Sequence, residues 1–186
     1  MKYIIHGATG AQGAPLYTSS ISQGKQAIAA VRDPKPDDNN AIAIDYASVE
    51  SLAQAYADAE CVFIHLPLGP ETMRMEFAKN IAQAVAISKP KRVVVSTSGW
   101  KLGVEGDRSA LPTLIHELEK TGVSLAIIAP SLYLENLLLP IVIDAVHARH
   151  ELAYPLRNDY PVSWCSHQDV ADVASALFND KTITGF

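Results

Sequence analysis

His6-Gly7-Ala8-Thr9-Gly10-Ala11-Gln12-Gly13 follows a short apolar run, residues 3–5, and precedes a helical pattern. The glycines of this loop are spaced G-x-x-G-x-x-G. Gly7 allows a sharp turn off the strand, Gly10 lets backbone amides approach a phosphate closely, and Gly13 permits tight packing of the helix on the strand. The helix N-terminus then presents free N–H groups and a partial positive charge. A strand before and a helix after the loop predict a Rossmann unit that holds the pyrophosphate of a dinucleotide.

Short β-rich runs alternate with helix-length segments along the rest of the chain, and each run is apolar on both faces. Such runs are typical of a parallel sheet covered by helices on both sides. The predicted strands are residues 3–5, 27–31, 41–44, 61–66, 92–96 and 124–128. The predicted helices are residues 14–23, 49–58 behind an N-cap at Ser48, 71–88, 109–120, and a last helix with Asp169 as its N-cap. We therefore predict an α/β fold with a doubly wound parallel sheet.

Length and composition indicate a single domain over residues 1–186, with about 130–168 contributing to the substrate side. The chain is 48% hydrophobic and 19% charged, and its formal net charge is −5. This balance and the absence of a long run of Lys or Arg argue against nucleic acid as a partner. No apolar stretch approaches the length of a membrane span and no signal-peptide pattern precedes residue 3, so we expect a cytoplasmic location and no membrane partner. Cys61 and Cys165 are expected to be reduced.

Arg32 ends the second predicted strand, about twenty residues beyond the glycine loop, where the acidic residue of an NAD-selective site commonly lies. A guanidinium at this place can bind a 2′-phosphate through two N–H groups. We therefore favour NADP(H) as the cofactor, with NAD(H) possible. A solvated loop position for Arg32, beside Asp33, is the alternative.

Polar and aromatic residues follow three further strands at the carboxyl edge of the sheet, where open α/β sheets bind their ligands. Asp45 can accept a hydrogen bond from an adenine amino group, although helix capping is a competing role. The predicted cofactor-binding residues are Gly7, Thr9, Gly10, Ala11, Gln12, Gly13, Arg32, Asp45, Tyr46, Leu66, Pro67 and Ser96. The predicted substrate pocket comprises Leu68, Thr97, Ser98, Trp100, Tyr133 and Asn136.

Four segments resemble the NmrA-like branch of the atypical short-chain dehydrogenase/reductases: residues 7–13, 31–34, 129–137 and 164–174. The third contains Tyr133-Leu134-Glu135-Asn136, which is similar to that branch's aromatic-x-Glu-Asn turn. The loop is similar to those of NADPH-dependent quinone reductases and NmrA-like redox sensors. The resemblance implies NADP(H) on residues 9–13 and Arg32, and a smaller carboxyl-terminal substrate region. Family members usually continue well beyond this length, so we expect that region to be short or truncated.

No Tyr-x-x-x-Lys pair occurs, since the residues four positions after the tyrosines are Gly, Ile, Glu, Glu, Leu, Asn and Trp. That dyad protonates a carbonyl oxygen as hydride arrives. Family members can use a Lys or His on the helix after the fifth strand, but Leu111 falls near that place. The catalytic residues are therefore unknown, and we predict no metal site. His6 and His65, at strand ends, could bind cofactor or substrate, or be buried and satisfied.

Quinone reduction is less demanding than ketone reduction, because solvent can protonate the quinone oxygens and positioning carries most of the catalysis. The sequence thus predicts an NADP(H)-dependent oxidoreductase acting on a quinone or a similar small electrophile. The alternative is a non-catalytic NADP(H)-binding redox sensor that acts through a protein partner.

Overall fold

The computed structural model describes residues 1–157, 159 and 161–185; Asn158 and Tyr160, within the predicted substrate side, and Phe186 lie outside the description. Six strands are β1 (Lys2–His6), β2 (Gln26–Val31), β3 (Ala41–Ala43), β4 (Ala59–Ile64), β5 (Arg92–Ser96) and β6 (Ser124–Ile128). They form one parallel sheet in the order β3-β2-β1-β4-β5-β6. This order confirms the predicted doubly wound Rossmann sheet and places the topological switch point between β1 and β4.

The described residues form six α-helices: α1 (Gly13–Ser22), α2 (Val49–Tyr56), α3 (Glu71–Ser88), α4 (Ala110–Lys120), α5 (Pro140–Arg149) and α6 (His167–Asn179). α1 packs beside α6 on one face, and α3 packs between α2 and α4 on the other. Successive strand residues enter different cores: Ile4 and Val62 face α2–α4, whereas Ile5 and Phe63 face α1 and α6. Burial on both faces is why the strands are continuously apolar in sequence.

The bounds of β5, β6 and α3 are those predicted from the sequence. β4 begins at Ala59 and ends at Ile64, two residues earlier at each end than predicted. The strand tolerates Glu60 because Lys91 and Lys181 pair with its carboxylate at 2.6 and 2.7 Å. β3 ends at Ala43, so Asp45 and Tyr46 lie in the loop that leaves the strand.

The prediction of Asp169 as an N-cap is wrong. Ser166 is the N-cap of α6: its hydroxyl accepts a hydrogen bond from the amide of Asp169 at 3.0 Å. The Asp169 carboxylate in turn accepts from the Ser166 amide at 2.7 Å, which completes a capping box. Asp169 is the third residue of the helix, where a short acidic side chain reaches back to the cap. The predicted N-cap Ser48 does cap α2, accepting from the amide of Ser51.

The segment between β6 and α6 contains a feature that the sequence pattern did not predict. β7 (Leu132–Tyr133) and β8 (Trp164–Cys165) form a two-stranded parallel sheet. Strands of two residues are too short to show a pattern of polar and apolar residues in the sequence, so only their pairing in the folded chain defines them. A short 3-10 helix, Leu134–Leu138, connects β7 to α5. Among the described residues, no helix combines the length and apolar character needed to cross a membrane.

Candidate active site

The glycine loop connects β1 to α1 at the switch point. Gly7 has a φ of +59°, and a Cβ there would lie 2.5 Å from Nε2 of His65. A Cβ on Gly13 would lie 2.3 Å from the carbonyl oxygen of Gly7, so α1 can approach β1 this closely only with glycine. The amide of Gly10 donates to the carbonyl oxygen of Gly7 at 2.7 Å, and the first helical hydrogen bond runs from the amide of Ala14 to Gly10 at 3.0 Å. Among the described residues, the amides of Ala11 and Gln12 between them have no backbone partner. The loop therefore makes a tight backbone turn between β1 and α1 in which Gly7 and Gly13 leave no room for side chains.

The α1 N-terminus keeps its partial positive charge available. Within the described part of the chain, no side chain caps the helix and its first turn contains no acidic residue. Gln12 occupies the N-cap position, but its amide group points away from the helix and bonds to the turn after β5. The exposed amides and the helix dipole together favour an anion at this place.

A crevice of about 460 Å³ runs from the glycine loop across the ends of β2 and β3. It contains predicted cofactor residues from four loops, together with residues not predicted; the lining is Gly7, Thr9, Gly10, Ala30, Val31, Arg32, Asp45, Tyr46, His65, Pro67, Leu68, Met73 and Phe77. The loops meet here because the carboxyl ends of parallel strands share one edge. The predicted residues on these loops are thus brought together.

Arg32 is exposed on the rim of this crevice. Among the described residues, no carboxylate lies within ion-pairing distance of its guanidinium, including the adjacent Asp33. The guanidinium is close enough to Tyr46 to oppose slightly the effect of burial on the pKa of that phenol. Within the described part of the chain, Arg32 is therefore a cation without an acidic partner on the rim of the crevice.

Asp45 is exposed on the same rim, and its carboxylate accepts a hydrogen bond from the amide of Ala47 at 2.8 Å. The backbone amide of Asp45 donates to the hydroxyl of Ser51 at 3.0 Å. Ser48 caps α2, so Asp45 does not act as the cap of that helix. Its side chain shapes the turn, and the residue lines the crevice.

His6 is fully buried beneath the crevice between two tyrosines. The hydroxyl of Tyr46 lies 3.1 Å from Nδ1, and that of Tyr56 lies 2.9 Å from Nε2. Burial, with a smaller effect of His65, lowers the pKa of His6 to about 3, and burial raises the pKa of Tyr46 to about 12. His6 is thus a neutral, satisfied core imidazole and not a ligand of the crevice, which settles the alternative left open by its sequence.

A second cavity of about 630 Å³ continues from the first past His65, Pro67 and Leu68. It contains all the predicted substrate residues; the lining is Ala11, Gln12, His65, Leu66, Pro67, Leu68, Arg74, Ser96, Thr97, Ser98, Trp100, Leu111, Tyr133, Glu135, Asn136, Leu139 and His167. Leu111, which lies on α4 after β5, is among the lining residues. Gly13 is the one predicted site residue outside both linings, since it is buried beneath the loop.

The side chain of Gln12 bridges the glycine loop and the turn after β5. Its Nε2 donates to the hydroxyl of Ser98 at 2.8 Å, and its Oε1 accepts from the hydroxyl of Ser96 at 2.8 Å. Ser98 adopts a positive φ of 56°, followed by Gly99 at 84°. The bridge holds this strained turn in place.

Glu135, His167 and Arg74 line the second cavity but were not among the predicted site residues. Glu135 Oε1 accepts from the backbone amide of His167 at 2.9 Å and lies 3.3 Å from its Nδ1. The imidazole stacks on the ring of Tyr133, with centroids 4.3 Å apart. Arg74 lies over the ring of Trp100 at 4.9 Å and pairs with Glu71 at 3.0 Å. Arg74 and His167 lie in the first turns of α3 and α6, and Glu135 lies in the 3-10 helix that follows Tyr133. The available signals were these helix starts for Arg74 and His167, and the aromatic-x-Glu-Asn turn for Glu135.

The sheet order, the glycine loop and the two joined cavities define a Rossmann-fold protein with a ligand crevice at the topological switch point. The family model described as the NmrA-like family matches residues 2–184. The chain belongs to the NmrA-like family, as its sequence motifs predict.

Solved structures agree on the fold. A nucleoside-diphosphate-sugar epimerase from Staphylococcus aureus is 18% identical with a TM-score of 0.79, over 100% of this chain and 72% of that one. Triphenylmethane reductase from Citrobacter sp., solved with NADP(H), is 18% identical with a TM-score of 0.77, and the match covers 97% of this chain and 66% of that one. Vestitone reductase from alfalfa is 15% identical with a TM-score of 0.70, over 99% and 74%. No curated protein sequence gave a significant match.

Proposed function

We propose that this protein binds NADP(H) in the crevice and reduces a quinone or a similar small electrophile by hydride transfer. The observation that carries the proposal is the continuity of the two cavities. One contains the glycine loop and Arg32, and the other contains hydroxyls and aromatic rings. The reductase neighbours, one of them solved with NADP(H), support the same class of chemistry.

The residues present fit a dinucleotide. The loop at Gly7 and Gly13 leaves no room for side chains, and the α1 N-terminus is uncapped within the described residues. Gly7, Thr9, Gly10, Ala11 and Gln12 would hold the pyrophosphate. Arg32 would bind the 2′-phosphate, while Asp45 and Tyr46 would border the adenine and Leu66, Pro67 and Ser96 the nicotinamide ribose. NAD(H) remains the second choice of cofactor.

A reduced nicotinamide supplies a hydride, which carries two electrons. The protein's own contribution is to position the acceptor and exclude water from it. Gln12 and Ser96 hold the turn after β5, and Leu66, Leu111 and Trp100 give the second cavity an apolar wall. A quinone needs only solvent protons to complete its reduction, so the missing Tyr-x-x-x-Lys pair does not exclude this reaction.

The second candidate is a redox sensor that binds NADP(H) without turnover and reports it to a protein partner. One observation favours it: Leu111, an apolar residue, lines the cavity where family members can place a Lys or His. In either case we propose a cytoplasmic protein, since Cys61 and Cys165 are both free thiols.

Titration of the protein with NADPH and with NADH, followed by NADPH oxidation with a panel of quinones, tests the proposal. We expect tighter binding of NADPH and measurable oxidation with at least one quinone. Tight NADPH binding with no turnover on any quinone would reject the enzyme and leave the sensor. Absence of binding by either nucleotide would reject both.

A further inference from the structure

His167 offers a reachable ring nitrogen at the wall of the second cavity. The imidazole lines this cavity, and its side chain is 14% exposed. Its Nδ1 lies 3.3 Å from Oε1 of Glu135, whereas Nε2 has no hydrogen-bond partner among the described residues. Nε2 is not one of the buried, unpartnered atoms of that part of the chain, unlike the hydroxyl oxygens of Thr97 and Tyr133. A ligand in the cavity can therefore reach Nε2 of His167 but not those hydroxyls.

Two contacts hold the imidazole of His167 in place. Its ring stacks on Tyr133 with centroids 4.3 Å apart, and Oε1 of Glu135 accepts from its backbone amide at 2.9 Å. Because the same oxygen lies beside Nδ1, the carboxylate favours the protonated imidazole. His167 is also the first residue of α6, where the helix dipole disfavours a positive charge. The two effects oppose each other, so the imidazole can both take up and release a proton.

Three other proton-bearing side chains of this cavity are poor proton donors. Burial raises the pKa of the Tyr133 phenol to about 12, so the phenol keeps its proton at neutral pH. Burial lowers the pKa of His65, so that imidazole is neutral, and its Nε2 is inaccessible. The guanidinium of Arg74 does not lose a proton in a protein. His167, unlike these three residues, can transfer a proton to a ligand.

The imidazole lies near the place where hydride would arrive. Under the proposed function, Ser96 borders the nicotinamide ribose, and its hydroxyl donates to Oε1 of Gln12 at 2.8 Å. That hydroxyl is also close enough to Tyr133 to oppose in part the effect of burial on the pKa of the phenol. The ring of Tyr133 in turn stacks on His167. His167 is therefore one aromatic ring away from Ser96, on the wall of the same cavity.

A proton donor at this place matters for some hydride acceptors and not for others. Reduction of an aldehyde or a ketone develops an alkoxide, a strong base, so an acid must protonate the oxygen as hydride arrives. The oxygens of a reduced quinone are weaker bases, which solvent can protonate. The cavity wall includes Leu66, Leu111 and Leu139, which favour an acceptor with an apolar body.

We propose that His167 donates a proton through Nε2 to the oxygen of a bound carbonyl compound, and that the protein therefore also reduces aldehydes or ketones with an apolar body. The proposal rests on the proposed function for the source of hydride. The hydride forms a C–H bond at the carbonyl carbon, and the π electrons of the C=O bond take the proton from Nε2 to form the alcohol O–H. The nicotinamide is oxidised, the carbonyl compound is reduced, and solvent returns a proton to the imidazole.

His167→Gln tests the proposal, because the glutamine amide can still hydrogen-bond but cannot transfer a proton. His116→Gln, at an exposed position of α4 outside both cavities, is the matched control. Each protein is assayed with NADPH and two kinds of acceptor. 4-Chlorobenzaldehyde and acetophenone require an acid, and 2-methyl-1,4-naphthoquinone does not. The NADPH Kd and urea unfolding are measured on the same proteins.

We expect His167→Gln to lower kcat with the carbonyl probes by roughly 10²-fold or more, as loss of a general acid does. Its kcat with the quinone and its NADPH Kd should change little, and His116→Gln should behave as the wild type. Glu135→Gln keeps an acceptor for the amide of His167 but removes the charge, so it should cause a smaller loss with the same probes.

Three outcomes would overturn the proposal while leaving the proposed function intact. The first is a wild-type protein that reduces the quinone but neither carbonyl probe. The second is a His167→Gln variant that reduces the carbonyl probes as well as the wild type does. The third is an equal loss of both activities together with a loss of stability, which would show that His167 has a structural role.

Contact with the ligand is measured without turnover. Imidazole ¹H–¹⁵N spectra of the protein, with and without NADP⁺, are recorded during titration with 4-chlorobenzyl alcohol, the product of the aldehyde. The Nε2 signal of His167, assigned by its loss in His167→Gln, should shift, and that of His116 should not. If the wild type binds NADPH but reduces no acceptor, the proposed function fails and these spectra decide alone. A shifted signal would then support His167 as the group that contacts the ligand, and an unshifted signal would overturn the proposal.

Discussion

Arg32 is the single side chain on which the preference between the two nicotinamide cofactors depends. It is exposed on the crevice and, among the described residues, has no carboxylate partner to neutralise it. A free guanidinium can bind a 2′-phosphate through charge-assisted hydrogen bonds, each worth about 1.5–3 kcal/mol. NADH has no 2′-phosphate, so its binding does not depend on Arg32 in the same way.

We therefore expect Arg32→Ala to weaken NADPH binding by roughly 10- to 100-fold and to change NADH binding little. Isothermal titration with both nucleotides measures the two effects. Arg108→Ala, which also removes an exposed guanidinium but lies outside the crevice, is the control and should change neither. Equal losses for NADPH and NADH on Arg32→Ala would contradict the NADP preference.

The residues that sequence could predict at the site are those whose role depends on local chain geometry. The glycines and Arg32 follow strand ends at fixed distances, and Tyr133 belongs to a family motif. Arg74 and His167 could not be assigned in this way, because their places depend on how α3 and α6 pack against the sheet. The link from Glu135 to His167 joins residues 32 positions apart and has no local signature.

At the scale of elements, periodic and apolar segments were predicted best. β5 and β6 are short buried strands between clear turn signals, and their bounds were confirmed. The start of β4 was missed because Glu60 looks like a loop residue until Lys91 and Lys181 are seen to pair with it. The cap of α6 was misplaced because Ser166 and Asp169 form a reciprocal pair, and either residue alone resembles a cap.

The capping box of α6 gives a stability prediction. Ser166→Ala removes the acceptor for the amide of Asp169, and we expect it to lower the free energy of unfolding by about 1 kcal/mol. Ser109→Ala is the matched control. Ser109 holds the N-cap position of α4, but its side chain makes no capping bond among the described residues, so we expect no loss. Urea unfolding compares the two variants, and equal losses would show that the box contributes nothing specific.

The architecture of the whole molecule followed from the alternation of strand and helix patterns, since right-handed crossovers leave few arrangements of such a chain. The sequence does not show that residues lining the crevice contact polar residues of the core directly. Tyr46 lines the crevice and its hydroxyl contacts His6, which also contacts the hydroxyl of Tyr56 on α2. A buried polar cluster therefore lies directly beneath the candidate cofactor site, at the centre of the sheet.

This cluster makes the stability of the molecule depend on pH. The folded protein binds a proton at His6 only near pH 3, whereas an unfolded chain binds one near the ordinary pKa of 6.5. Protons therefore favour the unfolded state between these values, and stability is fully present above pH 6.5 and is lost as the pH falls. Burial also lowers the pKa of His65, which acts in the same direction. Two pH units below 6.5, His6 alone removes about 3 kcal/mol.

Urea unfolding at pH 8, 6.5, 5.5 and 5 tests this prediction, because the carboxylates titrate mainly below that range. We expect an even free energy of unfolding above pH 6.5 and a decline of about 1 kcal/mol or more per unit below it. In His6→Gln, the glutamine amide can still hydrogen-bond to both tyrosines but cannot take up a proton. The free energy of unfolding of this variant should therefore fall less steeply with decreasing pH. His116→Gln, at an exposed position of α4, should follow the wild type. A wild-type free energy of unfolding that stays level from pH 8 to 5 would show that His6 is not held neutral by burial.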